Sequence, residues 1–109
     1  MKLKRGILPL NKKGDFKQVF EQGHKLSSRY FTIYAKPNGL EYSRLGLSVS
    51  RKTGNAVERN RIKRRLREAL RDQLKNTQIH YDIVVIAHRA TIDAEFSGLQ
   101  KIITRFFLD

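Results

Sequence analysis

Apolar side chains recur at intervals of three and four residues through Ile62, Leu66, Ala69, Leu70 and Leu74, the spacing of a helix packed along one stripe. Gly54 interrupts what precedes it. Asn55 can then accept a hydrogen bond from the first turn, and Glu58, three residues on, can reach back in a capping box. At about 100° per residue, Ile62, Leu66, Ala69 and Leu70 share one apolar arc of roughly 100°. Upstream, Arg29 to Lys36 alternates as a strand does, with Phe31, Ile33 and Ala35 on one face and Tyr30, Thr32 and Tyr34 on the other. Pro37-Asn38-Gly39 supplies a turn. The return strand, Arg44 to Ser50, sets Leu45, Leu47 and Val49 opposite Gly46, Ser48 and Ser50. That second face carries nothing large or apolar, and beside Thr32 and Tyr34 it suits a shallow polar groove. Glu41 to Ser43 can add pairing to one edge. The run Asp82 to Ala87 is continuously apolar after its first residue, as expected of a strand covered on both faces or lying centrally in a sheet.

Helices are predicted at both ends. Asn11 is a plausible cap and Gly23 a stop for a short helix in which Phe16 and Phe20 stand four apart, with Val19 beside them. Rings at that spacing are either core or a stacking surface for bases. Ala94 to Phe107 reads as a terminal helix capped by Asp93, burying Phe96, Leu99, Ile102, Ile103 and Phe106. Met1 to Leu10 is a basic, irregular arm. The order α, β, β, long α, β, α describes one α+β domain spanning residues 1–109, with helices packed on a mixed sheet.

Charge changes this picture. The 109 residues carry a formal net charge of +13. From Arg51 to Arg71 there are nine basic residues and two acidic ones, a local net of +7. Arg64, Arg71 and Asn60 fall opposite the apolar stripe, Arg61 and Arg65 on one flank, Lys63 and Arg67 on the other. A merely solvated helix mixes Glu with Lys at i,i+4 spacing, because like charges repel. Here Arg outnumbers Lys seven to two, and the planar guanidinium matches phosphate oxygens and stacks on bases. A nucleic-acid face is the reading these residues favour; a solvated helix or one lying on an anionic membrane are the alternatives.

Other chemistry is poorly served. There are no cysteines, which removes disulfides, thiolate metal sites and Cys nucleophiles together. The ten acidic residues are scattered; Glu58 is explained as a cap and Glu68 as a partner for neighbouring arginines. His24, His80 and His88 lack metal-like spacing. No Walker or Rossmann glycine loop is present, although Gly54 could help place a phosphate at the helix start. No apolar run approaches the roughly 20 residues of a membrane span, and no signal peptide is evident. A cytoplasmic protein without catalysis of its own is expected.

Gly46-Leu-Ser-Val-Ser-Arg-Lys-Thr-Gly-Asn-Ala-Val-Glu-Arg-Asn-Arg-Ile-Lys-Arg resembles the signature of the bacterial ribonuclease P protein subunit. Asp15-Phe16, Val19-Phe20, Gly23 and Arg29 to Tyr34 upstream, and Ile83 to Arg89 with the terminal helix downstream, extend the likeness along nearly the whole chain. The resemblance implies a two-layer α/β sandwich of the ribosomal protein S5 domain 2 type, with a left-handed β-α-β crossover around the basic helix. It implies an endoribonuclease holoenzyme in which a catalytic RNA, holding Mg2+, removes the 5′ leader of precursor tRNA, while the protein binds no cofactor and is a monomer on its own. Carried over by position, Lys52, Asn55, Arg59, Asn60, Arg61, Arg64 and Arg65 would face the RNA subunit. Phe16, Phe20, Thr32, Tyr34, Ser48, Ser50, Lys63 and Arg67 would line a cleft for the leader, and none would be catalytic. A general or ribosome-associated RNA chaperone is the alternative.

Overall fold

A computed structural model describes residues 7–75 and 77–108. Five strands form one mixed sheet: β1 (Ile7–Pro9), β2 (His24–Ser27), β3 (Phe31–Pro37), β4 (Ser43–Ser48) and β5 (Tyr81–Ala87), in the order β1-β4-β5-β3-β2. Three helices accompany them, α1 (Lys13–Gln22), α2 (Ala56–Leu74) and α3 (Phe96–Leu108). The apolar β5 occupies the centre, parallel to β4 and antiparallel to β3. It thereby separates the two strands that the sequence suggested were consecutive partners. Because β4 and β5 run parallel side by side, α2 is the helix of a β-α-β crossover.

Two short strands are absent from the sequence reading. Ile7–Pro9, placed there within the irregular arm, pairs in parallel with Ser43, Arg44 and Leu45. Met1 to Gly6, the remainder of that arm, lies outside the described residues. His24–Ser27 pairs with β3 at the opposite edge. The helix starts also differ from expectation. Helix α1 begins one residue later than an Asn11 cap would give, with the amides of Asp15 and Phe16 both donating to the Lys12 carbonyl. Asp93 does not cap α3, since it ends a 3-10 turn over Arg89–Asp93 and the helix begins at Phe96.

One face of the sheet carries the main core. Phe31, Ile33, Ile83 and Val85 are fully buried against Ile62, Leu66 and Leu70 of α2 and Leu99 and Ile103 of α3. Each such side chain contributes roughly 1.5–3 kcal/mol through removal from water. The stripe predicted for α2 is therefore the stripe that packs, and the opposite side of the helix is left outward. The capping box is present as expected: Asn55 Oδ1 accepts from the Glu58 amide at 2.8 Å, and Glu58 Oε1 accepts from the Asn55 amide at 2.9 Å.

Candidate nucleic-acid interface

The outward side of α2 is cationic without internal compensation. Arg61, Arg64, Arg67 and Arg71 are exposed, as are Asn60 and Lys52 in the preceding turn. Among the described residues the two ion pairs both belong to Arg44, so none of the nine basic residues from Arg51 to Arg71 is paired. Glu68 does not take up the neighbouring arginines as the sequence suggested. Two guanidinium groups are committed to the fold: Arg59 donates to the Gly54 carbonyl at 2.8 Å, and Arg65 to the Ala94 carbonyl at 2.9 Å, which ties α2 to the approach of α3. The helix start is not a free phosphate seat beside Gly54, because the Glu58 carboxylate already occupies it.

Strand alternation and register arrange the other face of the sheet into three rows running across the strands. The first row is Lys36, Asp82 and Arg44; the second Lys25, Tyr34, Val84 and Gly46; the third Ser27, Thr32, Ile86 and Ser48. Helix α1 lies across the second. Phe16 sits on Gly46 so closely that a Cβ there would stand 2.5 Å from its ring, Val19 packs with Val84, and Phe20 meets Tyr34 edge-on with ring centroids 4.9 Å apart. Glycine at position 46 is thus a socket for an aromatic ring as well as part of a polar face. Phe16 is half-buried, whereas Phe20 is 43% exposed, so the pair divides between packing and surface.

The first row is sealed. Arg44 grips Asp82 with two hydrogen bonds, Nε to Oδ1 at 2.8 Å and Nη2 to Oδ2 at 2.6 Å, and reaches Asp15 of α1 at 3.4 Å. Asn38 donates to the same Asp82 Oδ1 at 3.0 Å and to the Tyr42 carbonyl at 3.1 Å, which anchors the turn that Gly39 makes with φ of 69°. Asp82 is only 4% exposed. Burial pushes its carboxyl up, but the hydrogen bonds from Arg44 and Asn38 outweigh burial and hold it below the usual carboxylate range. Hydrogen-bonded to Asp82, the Arg44 guanidinium is held above its ordinary value.

The third row remains as a trough beside α1. Ser27 and Ser48 are exposed at its two ends and Ile86 is half-buried. Thr32 is nearly covered, its hydroxyl 2.9 Å from His88 Nε2 and 3.4 Å from Ser27 Oγ. His88, whose spacing to the other histidines suits no metal, therefore belongs to this floor. Ser50 lies exposed just past β4. Where β1 lies against β4, a hollow of about 270 Å³ joins Phe16, Gly46 and Leu10 to Lys63 and Arg67 of α2. Phe16, Lys63 and Arg67 are thus brought together, and Phe20, Thr32, Tyr34 and Ser48 continue along the same face.

The link between β4 and α2 is short and braced. It makes a 3-10 turn at Arg51–Thr53, with the Thr53 amide donating to the Ser50 carbonyl at 3.0 Å and Arg89 donating to the Lys52 carbonyl at 3.4 Å. The cationic helix and the trough are consequently neighbours joined by a short, hydrogen-bonded link.

The ribonuclease P family profile matches residues 7–109. The chain belongs to the ribonuclease P protein family. It is 43% identical over 90 residues to the ribonuclease P protein component of Streptococcus thermophilus (strain CNRZ 1066), covering 83% of this chain and 80% of that one. The RNase P protein of Staphylococcus aureus superposes with a TM-score of 0.76 at 34% identity, covering 96% of this chain and 94% of that one. That of Thermotoga maritima gives 0.74 at 32% identity, covering 90% and 93%. Family membership makes the chain an RNA-binding subunit of the ribonuclease P endoribonuclease, acting in tRNA processing. No described helix is long and apolar enough to cross a membrane, and no three acidic or histidine side chains among the described residues come together as a metal site.

Proposed function

We propose that α2 docks on the catalytic RNA of ribonuclease P and that the trough receives the single-stranded 5′ leader of precursor tRNA, in the cytoplasm and with Mg2+ held by the RNA. The observation that carries this reading is the meeting of Phe16 with Lys63 and Arg67, neither of them in an ion pair among the described residues, at one hollow, on a face where Ser27, Ser48 and Phe20 stay exposed. Arg61 and Arg64 would contact phosphates of the RNA subunit, with Lys52, Asn55 and Asn60 beside them and Arg59 and Arg65 adding charge from tethered positions. Lys63 and Arg67 would hold leader phosphates while Phe20, Phe16 and Tyr34 offer rings, and Ser48, Ser50 and Thr32 supply a narrow polar floor. Stacking joined to phosphate contacts binds without reading sequence, which suits an enzyme that trims many different leaders.

Reconstitution tests this directly. Adding the protein to the catalytic RNA is expected to stimulate cleavage of precursor tRNA at low magnesium, and unrelated structured RNA is expected to compete poorly. Absence of stimulation would end the proposal, and equal competition would favour a general RNA chaperone. Within the reconstituted enzyme, Phe20→Ala should weaken binding of leader-bearing tRNA by about 1–3 kcal/mol, the size of one base stack. Mature tRNA should bind as before; equal losses for both substrates would point to a folding defect.

A further inference from the structure

We propose that Lys25, on the outermost strand β2, is a second phosphate contact for the leader, on the far side of the trough from Lys63 and Arg67. The inference rests on the trough being the leader's seat. Its own basis is register and side-chain geometry. Lys25 pairs with Tyr34, so its side chain rises on the trough face, and its Nζ lies 5.6 Å from the centroid of the Tyr34 ring. It is exposed and has no ion-pair partner among the described residues. A lysine on a loose stem gives up considerable rotamer freedom when it grips a phosphate. Resting over an aromatic face, the ammonium is already held where it is needed.

The position matters because of what faces it. Strands β4 and β2 are separated by β5 and β3, three strand spacings or roughly 14 Å. Lys63 and Arg67 stand at the β4 side, Lys25 at the β2 side, and Ser48, Ile86, Thr32 and Ser27 run between them. A flexible strand held by cations at one end alone would swivel. Held at both, it is drawn across the floor and along the rings of α1. Lys25 thus acts as a positioning residue for the substrate, and only a leader long enough to cross the sheet engages both sides.

The experiment uses the reconstituted holoenzyme and precursor tRNAs whose leaders are shortened one nucleotide at a time. With long leaders, Lys25→Ala is expected to lose about fivefold in affinity at 0.1 M salt and to lower the salt slope by about 0.7, as for one single-strand phosphate contact. Lys25→Arg should restore binding, and the urea midpoint of the free protein should not move. The lengths at which Lys25→Ala and Lys63→Ala begin to lose affinity should differ. Wild-type affinity for every leader in the Lys25→Ala enzyme, the same length dependence for both variants, or an equal loss with mature tRNA would overturn the proposal while leaving the trough as leader site. Indifference of the wild-type enzyme to leader length would remove the trough reading itself, and this inference with it.

Discussion

Asp82→Ala is expected to destabilise the domain by about 1.5–3 kcal/mol, the scale of lost hydrogen bonds to a charged group, because Arg44 is 24% exposed and keeps Asp15 as a partner. A native domain holds only about 5–15 kcal/mol in total, so a substantial drop in the urea midpoint should be plain. The reason is the connectivity of the side chain. Through Arg44 it joins β4 to β5 and, by way of Asp15, to α1; through Asn38 it joins the turn after β3. Loss of the carboxylate leaves the Arg44 guanidinium without its main partner and the Asn38 amide short of an acceptor.

Acid should reproduce part of this effect. In the folded chain the Asp82 carboxyl titrates below its unfolded value, which is about 3.9. Its contribution is therefore complete above that unfolded value and fades as pH falls through the lower, folded one. The stability gap between wild type and Asp82→Ala should accordingly be constant near neutrality and narrow in acid. A gap that ignored pH, or a variant as stable as wild type, would show that Asp82 does not hold β4 and the turn after β3 to β5.

The largest effect in solution should come from salt. If Lys52, Arg59, Arg61, Arg64 and Arg65 each neutralise one phosphate, affinity for the catalytic RNA falls by roughly 10²–10³ between 50 and 200 mM salt. The double variant Arg61→Ala, Arg64→Ala should lower the slope of log affinity against log salt by about 2, one for each phosphate left without its arginine. Both side chains are exposed and untethered, so its melting temperature should match the wild type. Arg65→Ala is expected to behave differently, losing stability as well as affinity, because its guanidinium also holds the Ala94 carbonyl. A flat salt dependence would contradict phosphate binding on this face.

What could be read from the chain beforehand follows physical locality. Helix α2 announced itself through its stripe and its capping box, both of which depend on residues within a few positions of one another. Strand β5 announced its centrality through unbroken apolarity. Strands β1 and β2 gave no such signal, since three and four residues are too few for a period, and each is held by a neighbour distant in the chain. The pairing of Arg44 with Asp82 was hidden for the same reason: both sit at strand ends that look polar on their own. The glycine-and-serine face was legible as unusual, but only the packed helix shows that Gly46 admits Phe16 while Ser48 stays open. Glu58 caps the helix as its spacing from Asn55 predicts, and that role is what excludes the helix start as a phosphate seat.

The braced link between β4 and α2 has a mechanical consequence. The strand that floors the groove and the helix that presents the arginines are one continuous stretch doubled back upon itself, with little play at the fold. Two bodies resting on these surfaces would be kept at a set offset, as between the jaws of a caliper, whatever the base sequence of either.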